Sequence, residues 1–186
     1  MKHVYFVIAT LFICVFNTYG QNTLSHNGIS YQILPNQKDV AVIMPQDESV
    51  YSGKVIIPAT IKVEDKTYSV THIYDYAFSG SDISAIILPE GLLEIGYEAF
   101  RQCYKLKAVV IPASILNIDN NAFLFCFNLS SLTFKSPVRP IIGNYAFGRT
   151  KVNVKGISTG IPGNMAVPTE TGERYKVDAS RGVVVY

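Results

Sequence analysis

The sequence predicts a mainly β protein, a β-solenoid of about four to five coils that begins with an N-terminal β cap. The pair Ala-Phe recurs four times, at steps of 22, 23 and 24 residues, and an isoleucine precedes each pair at a fixed offset. Apolar runs that end in proline recur upstream of these pairs. Units of this length cannot bury an apolar face alone, but a stack of them can. The pairs are Ala77-Phe78, Ala99-Phe100, Ala122-Phe123 and Ala146-Phe147.

Within a unit, the apolar positions indicate where the strand lies. The alternation of Val109 and Ile111 around one outward residue has the period of a strand. Pro112 removes an amide donor and should end that strand. We expect Phe100 and Phe123 to stack as an internal aromatic spine. The registered positions of this unit are Leu106, Val109, Ile111, Ile115, Ile118, Ala122, Phe123 and Cys126.

Residues 1–20 have the layout of a secretory signal peptide. Lys2 precedes an apolar run, and small and polar residues follow it. The run is short for a membrane span, which needs about 20 residues. We therefore predict cleavage before Gln21, loss of Cys14 with the leader, and export to the periplasm, cell surface or exterior. The alternative is an uncleaved N-terminal anchor.

The remaining chain divides into three parts. Residues 21–54 are predicted as the N-terminal β cap and 55–154 as the repeat solenoid. A nine-residue excess in the first unit predicts a β-hairpin insertion at 62–69. Residues 155–186 lack the repeat and are predicted as a C-terminal cap or tail, in which 173–186 suggests a hairpin.

The repeated unit resembles a known family. The pattern C-x-x-L-x-x-V-x-I-P-x-x-I-x-x-I-x-x-x-A-F, read from 103 to 123, is similar to the leucine-rich repeat of the BspA-like (treponemal) type. The match covers about residues 28–154 and departs from the pattern at 152–156. The resemblance implies a curved solenoid on secreted or surface-attached proteins of host-associated bacteria. Some members are adhesins, and the family has no shared catalytic residues. A fold does not fix a function, so adhesion is an expectation by analogy.

Two cysteines remain after the leader, and both occupy one repeat position. Cys103 and Cys126 follow their phenylalanines by three residues, where flanking units have Ser81 and Thr150. A requirement for small side chains explains this pattern better than thiolate chemistry, and two cysteines close no zinc site. We favour two buried thiols. A disulfide is the alternative in an exported chain, although stacked parallel side chains would strain it.

No motif predicts catalysis, and we expect neither enzymatic activity nor a cofactor or metal. His26 and His72 lack metal-ligand spacing. The stretch GISTG at 156–160 has the spacing of a nucleophile elbow but does not follow a central strand.

Three carboxylates in one unit offer another enzymatic interpretation. Glycosidases use paired acids, and Glu90, Glu94 and Glu98 lie close in sequence. All three occupy variable positions that we predict to face solvent, so a solvated face is the simpler interpretation.

The outward residues of the strands form a candidate partner-binding face. One predicted stripe crosses four strands at Ile56, Ile87, Val110 and Thr133, and Lys107 lies beside it. A flat face of small residues with an apolar stripe suits a protein partner. The alternative is that loops or the tail cover this face.

Charge is unevenly distributed along the chain. Eleven acidic residues lie between Asp39 and Asp119, and none lies between 120 and 169. The basic end could meet anionic glycans or lipid head groups, or it could simply be a solvated surface. No aromatic–basic module indicates nucleic-acid binding. The basic residues of this end are Lys135, Arg139, Arg149, Lys151 and Lys155.

Together these patterns predict a secreted or cell-surface, non-enzymatic repeat protein. Its partner would be a host matrix protein, another surface protein or a glycan. Binding such a partner could serve adhesion. The alternative functions are a structural or accessory module of a cell-envelope assembly and an enzyme of unrecognised type.

Overall fold

A computed structural model describes residues 23–47, 49–136 and 140–152, and the backbone of 175–178 and 182–185. The predicted signal peptide and most of 155–186 lie outside these residues. Each element of the described part is a β-strand, which confirms the mainly β class. None of the described residues forms a helix long and apolar enough to cross a membrane. The strands are β1 (Thr23–His26), β2 (Ile29–Ile33), β3 (Asp39–Ile43), β4 (Ser52–Ile56), β5 (Thr60–Val63), β6 (Lys66–Ile73), β7 (Asp82–Ile87), β8 (Glu94–Ile95), β9 (Ala108–Ile111), β10 (Asn117–Ile118), β11 (Ser131–Phe134), β12 (Ile141–Ile142), β13 (Tyr175–Asp178) and β14 (Gly182–Val185).

The coils pass through β structure on two sides. On one side, β4 pairs with β7 and β9 pairs with β11, both in parallel. On the other side, one sheet has the order β1-β2-β3-β6-β8-β10-β12, with β5 paired to β6. From β3 to β12 this sheet is parallel, as expected for successive coils of a solenoid. One continuous core draws buried side chains from both sides.

The strands follow the apolar pattern of the sequence. In β9, Val109 and Ile111 are buried while Val110 between them is exposed. Pro112 follows directly after the last residue of this strand. The alternation thus places one face in the core and leaves the other for solvent.

The Ala-Phe pairs form turns that link neighbouring coils by backbone hydrogen bonds. The residue before each alanine has a positive φ of 52–59° and so interrupts a helical path. The phenylalanine amide then donates to the alanine carbonyl of the next coil instead of to its own turn. These bonds join Phe78 N to Ala99 O at 2.7 Å, Phe100 N to Ala122 O at 2.7 Å, and Phe123 N to Ala146 O at 2.6 Å.

The predicted aromatic spine is confirmed and is longer than the two rings expected. Phe78, Phe100, Phe123 and Phe147 stack with centroid separations of 5.0, 4.8 and 5.1 Å and interplanar angles of 3–8°. Tyr51 packs on Phe78 at 4.7 Å with a tilt of 42° and ends the stack on the side of the cap.

The N-terminal strands cover the first coil. β1, β2 and β3 form an antiparallel meander, and β3 then pairs in parallel with β6 of the solenoid. Tyr31, Val40 and Val42 of this meander are fully buried. Tyr51 fastens it, because its hydroxyl donates to Ile43 O at 2.8 Å and accepts from Ser30 N at 2.9 Å.

Two hairpins interrupt or follow the repeats. β5 and β6 pair in antiparallel register around Glu64 and Asp65, and β6 then continues to Ile73 to join the large sheet. The hairpin strands therefore reach beyond residues 62–69. Near the C-terminus, β13 and β14 form a second antiparallel pair.

Candidate partner-binding face

The predicted stripe residues lie on the outer surface of β4, β7, β9 and β11. Ile56 pairs with Ile87 across β4 and β7, and Val110 pairs with Thr133 across β9 and β11. The exposed fractions are 56% for Ile56, 46% for Ile87 and 44% for Val110, and Thr133 is also exposed. These values mean that three large aliphatic side chains stand open to solvent on one face.

The face consists of two strand pairs rather than one continuous ladder. β7 and β9 lie side by side, but they belong to two different two-stranded sheets. The pairing of β4 with β7 shifts register, because Gly53 pairs with Ile83 and Lys54 with Ala85, which leaves Ser84 as an extra residue. Such a bulge bends a strand and interrupts its pairing. The simple alternation in the sequence did not reveal this irregularity.

Lys107 lies at the edge of the face and not in the stripe. It is exposed and immediately precedes β9. Its carbonyl accepts hydrogen bonds from Ser130 N at 3.0 Å and Ser131 N at 3.2 Å, which fixes the start of the neighbouring strand. Of the five predicted residues, the structure therefore aligns four and places Lys107 beside them.

Ion pairs flank both ends of the stripe. At the strand starts, Lys105 Nζ lies 2.9 Å from Asp82 Oδ2. Beyond the strand ends, Lys135 Nζ lies 2.7 Å from Glu90 Oε1, and this hydrogen bond lowers the pKa of the Glu90 carboxyl. These four charges are paired with each other, the four stripe residues are uncharged, and Lys54 of β4 adds a positive charge beside Ala85.

The cysteines occupy a corner of the core as thiols. Both are fully buried and free. Cys103 Sγ donates to Phe78 O at 3.1 Å and Cys126 Sγ donates to Phe100 O at 3.0 Å, each reaching one coil back. The neighbouring Cys126 thiol and burial raise the pKa of the Cys103 thiol, which suppresses the nucleophilic thiolate.

The three glutamates of one unit are not equivalent, and the prediction that all face solvent was wrong for Glu98. Its side chain is nearly buried, 3.4 Å from Arg101 Nη1 and 3.4 Å from the Asn121 amide. Position 98 lies in the turn, where strand alternation does not apply. Glu94 faces His72 at 3.8 Å on the large sheet. No three His, Cys, Asp or Glu side chains in the described part of the chain are arranged to hold a metal.

A shallow cleft of about 400 Å³ lies between the cap and the repeats. Its lining includes Gln32 from the cap and His72, Tyr74, Asp75 and Glu94 from the repeats. Sequence reasoning missed this cleft because it depends on long-range packing of the meander against β6 and β8.

Comparison with known proteins supports the fold. No curated protein shows significant similarity to the chain. A leucine-rich repeat protein from Bacteroides capillosus ATCC 29799 is 22% identical, with a TM-score of 0.62, and the match covers 71% of this chain and 95% of that one. The T. pallidum leucine-rich repeat protein TpLRR is 20% identical, with a TM-score of 0.52 and coverages of 73% and 74%.

The pneumococcal vaccine antigen PcpA is 19% identical, with a TM-score of 0.51. The match covers 83% of this chain but 54% of PcpA, so the chain spans about half of that structure. At these identities the likeness shows the fold alone. The BspA type leucine rich repeat region matches residues 59–162 in six copies, which is more than half of the chain. The chain therefore belongs to the BspA-type leucine-rich repeat family.

Proposed function

We propose that the protein is an exported, non-enzymatic leucine-rich repeat protein that binds a protein partner through the face of β4, β7, β9 and β11. The observation that carries this proposal is the row of Ile56, Ile87 and Val110, each about half exposed. Exposed apolar side chains that adjoin one another, with a polar rim, mark interaction sites on soluble proteins. Here the rim is supplied by the ion pairs at both ends of the strands.

The neighbouring positions on β7, β9 and β11 are small, which favours close approach of a flat partner, while β4 carries the exposed Lys54 beside Ala85. Ala85 and Ala108 lie two residues before Ile87 and Val110 on the same side of their strands, and Ser131 pairs with Ala108. Small side chains leave the aliphatic stripe standing above its surroundings. An interface core of this composition resembles the apolar centres of protein–protein interfaces, which are depleted in charge.

Export is supported by the signal-like layout of residues 1–20 and by membership of a family that includes surface proteins. The structurally similar PcpA is a vaccine antigen. An adhesive role on the cell exterior would fit both points.

The binding test uses the mature chain and a panel of purified extracellular-matrix proteins. The variant Ile87→Glu plus Val110→Glu places two charges in the stripe and should weaken binding at least about tenfold, since charges at an interface core must be desolvated. The matched control is Leu116→Glu plus Ile141→Glu, which alters two exposed aliphatic residues (65% and 75%), one just before β10 and one in β12, on the side of the large sheet. Unchanged binding by the folded stripe variant, or equal loss in the control, would refute the proposed face.

Accessibility distinguishes adhesion from a structural role within the envelope. Protease added to intact cells should degrade an adhesin. Protection of the protein until the cells are lysed would favour the structural or accessory module instead.

A further inference from the structure

A second surface stands out at the corner between the Ala-Phe turns and the starts of the strands. Tyr104 and Phe127 stack there with centroids 5.7 Å apart and planes within 4°. Phe125 packs against Phe127 at 5.8 Å, and the Arg101 guanidinium lies 5.8 Å from the centre of the Phe125 ring. We call these four residues the aromatic corner.

The aromatic corner is open to solvent although its rings are large. Tyr104 is 45% exposed and Phe127 is 48% exposed. Their mutual stacking and the contact with Phe125 hold the rings in fixed positions. Rigid aromatic side chains lose little conformational entropy when a ligand packs on them, which favours binding.

Positive charge accompanies these rings on the next coil. The Phe125 amide donates to Gly148 O, which places exposed Arg149 beside the ring-bearing turn. Lys151 is also exposed, and its ammonium lies 3.4 Å from the side-chain oxygen of Asn128.

The nearby acids do not cancel this charge. Glu98 is paired with Arg101, and Asp82 is paired with Lys105. The sequence contains no acidic residue between 120 and 169. The corner therefore has an excess of positive charge that comes from Arg149 and Lys151.

An amide completes the surface. Asn128 follows Phe127, and its side-chain nitrogen donates to Tyr104 O at 2.7 Å while its oxygen meets Lys151. Rings, an amide and cations thus occupy adjacent points of one corner, and the backbone and side-chain bonds hold them in place.

We propose that the aromatic corner, with Asn128, Arg149 and Lys151, binds an acidic polysaccharide. Sugar rings present C–H-rich faces that pack on aromatic side chains, and carboxylate or sulfate groups pair with cations. A polymer laid along the coil axis would meet both kinds of group on successive coils. A membrane is a poorer fit, because two exposed rings at a corner offer little apolar surface for insertion. This site is separate from the proposed protein-binding face.

The test measures binding of the mature protein to immobilised heparin and hyaluronan, with neutral dextran and phosphatidylserine vesicles as comparison probes. Tyr104→Ser plus Phe127→Ser removes the rings without changing charge, and Arg149→Gln plus Lys151→Gln removes the cations. Each variant should weaken binding to the acidic polysaccharides at least about fivefold. The matched control, Lys54→Gln plus Lys62→Gln, removes two exposed lysines elsewhere and should leave affinity unchanged.

Several outcomes would overturn the proposal. Full affinity in the ring variant would show that only net charge matters, and an equal loss in the lysine control would show the same. Binding to vesicles but not to polysaccharides would assign the corner to a membrane. Equal binding to neutral dextran and to the acidic polysaccharides would show that the anionic groups are not recognised. If the double ring variant fails to fold, Phe127→Leu keeps apolar volume without the ring and must still show the loss.

Discussion

At the scale of single residues, Phe100 shows how one side chain of the repeat stabilises two neighbouring coils. Its ring is fully buried and lies between Phe78 at 5.0 Å and Phe123 at 4.8 Å. Its amide donates to Ala122 O, so backbone and ring both bridge neighbouring coils. Loss of this ring would leave a cavity between two phenylalanines. The hydrogen bonds between the stacked coils would keep the backbone from moving in to fill it.

Phe100→Ala should therefore lower the free energy of unfolding by about 3–5 kcal/mol, the usual cost of deleting a buried aromatic ring. Urea unfolding followed by circular dichroism measures this change. Tyr104→Ala is the control, because it removes a ring that is 45% exposed. Comparable losses for the two variants would contradict the central role of the spine.

The thiols give a second prediction at this scale. The Cys126 thiol and burial raise the pKa of the Cys103 thiol, and both cysteines are fully buried, so neither should react with a thiol reagent in the folded protein at neutral pH. After unfolding without reductant, the mature chain should show two free thiols. Rapid labelling of the native protein, or no thiol after unfolding, would point to an accessible cysteine or to a disulfide respectively.

At the scale of elements, Tyr51 joins the cap to the repeats. It packs on Phe78 at the end of the spine, and its hydroxyl bonds to Ile43 O and Ser30 N in two different strands of the meander. The meander is therefore held to the solenoid both by the pairing of β3 with β6 and by this one hydroxyl.

Tyr51→Phe should lower the free energy of unfolding by about 1–3 kcal/mol, because it leaves a buried carbonyl and a partly buried amide without their partner. Native-state hydrogen exchange should be faster in the variant than in the wild type, and this increase should be larger in β2 and β3 than in β9 and β10. The exposed Tyr104→Phe provides the control for loss of a hydroxyl. Uniform acceleration in all strands would mean that cap and solenoid unfold as one unit.

The repeated elements could be predicted residue by residue from the sequence, while the inserted hairpin and the N-terminal cap, which occur once, could be predicted only in outline. The strand of Val109 and Ile111 and the stacking of Phe100 on Phe123 followed from spacing, because each coil places equivalent residues in equivalent surroundings. Tyr51 has no counterpart in other coils, and the bulge at Ser84 arises from pairing across coils. Both depend on tertiary contacts that periodicity does not encode.

At the scale of the whole molecule, the stack should tolerate loss of a complete coil. Deletion of residues 101–123 joins Phe100 to Leu124 and preserves the register, so that Phe100 would stack on Phe147. The shortened chain should fold cooperatively with an m-value lower by about one fifth, since m scales with buried surface. Deletion of residues 112–123 removes about half a coil and should abolish folding. Equal damage by both deletions would refute this modular behaviour.

The same scale explains why the two proposed binding surfaces were only partly predictable. The stripe of Ile56, Ile87, Val110 and Thr133 was predictable because outward strand positions recur at the coil period. The aromatic corner was not, because Tyr104 and Phe127 follow the cysteines in a turn, where no alternation rule says which side chains face solvent. The structure was needed to bring Lys151 beside Asn128.

The ladder of turn amides has an electrostatic consequence. From Tyr76 to Phe125, alternate amides of each Ala-Phe turn donate toward the C-terminal side of the stack. Peptide dipoles aligned in this way add along an axis, as they do in a helix, and make the amide end partially positive. That end also carries Arg149 and Lys151. Backbone and side chains therefore give the C-terminal end of the turn column the same sign, and an anion approaching the protein would be drawn to it from both sources.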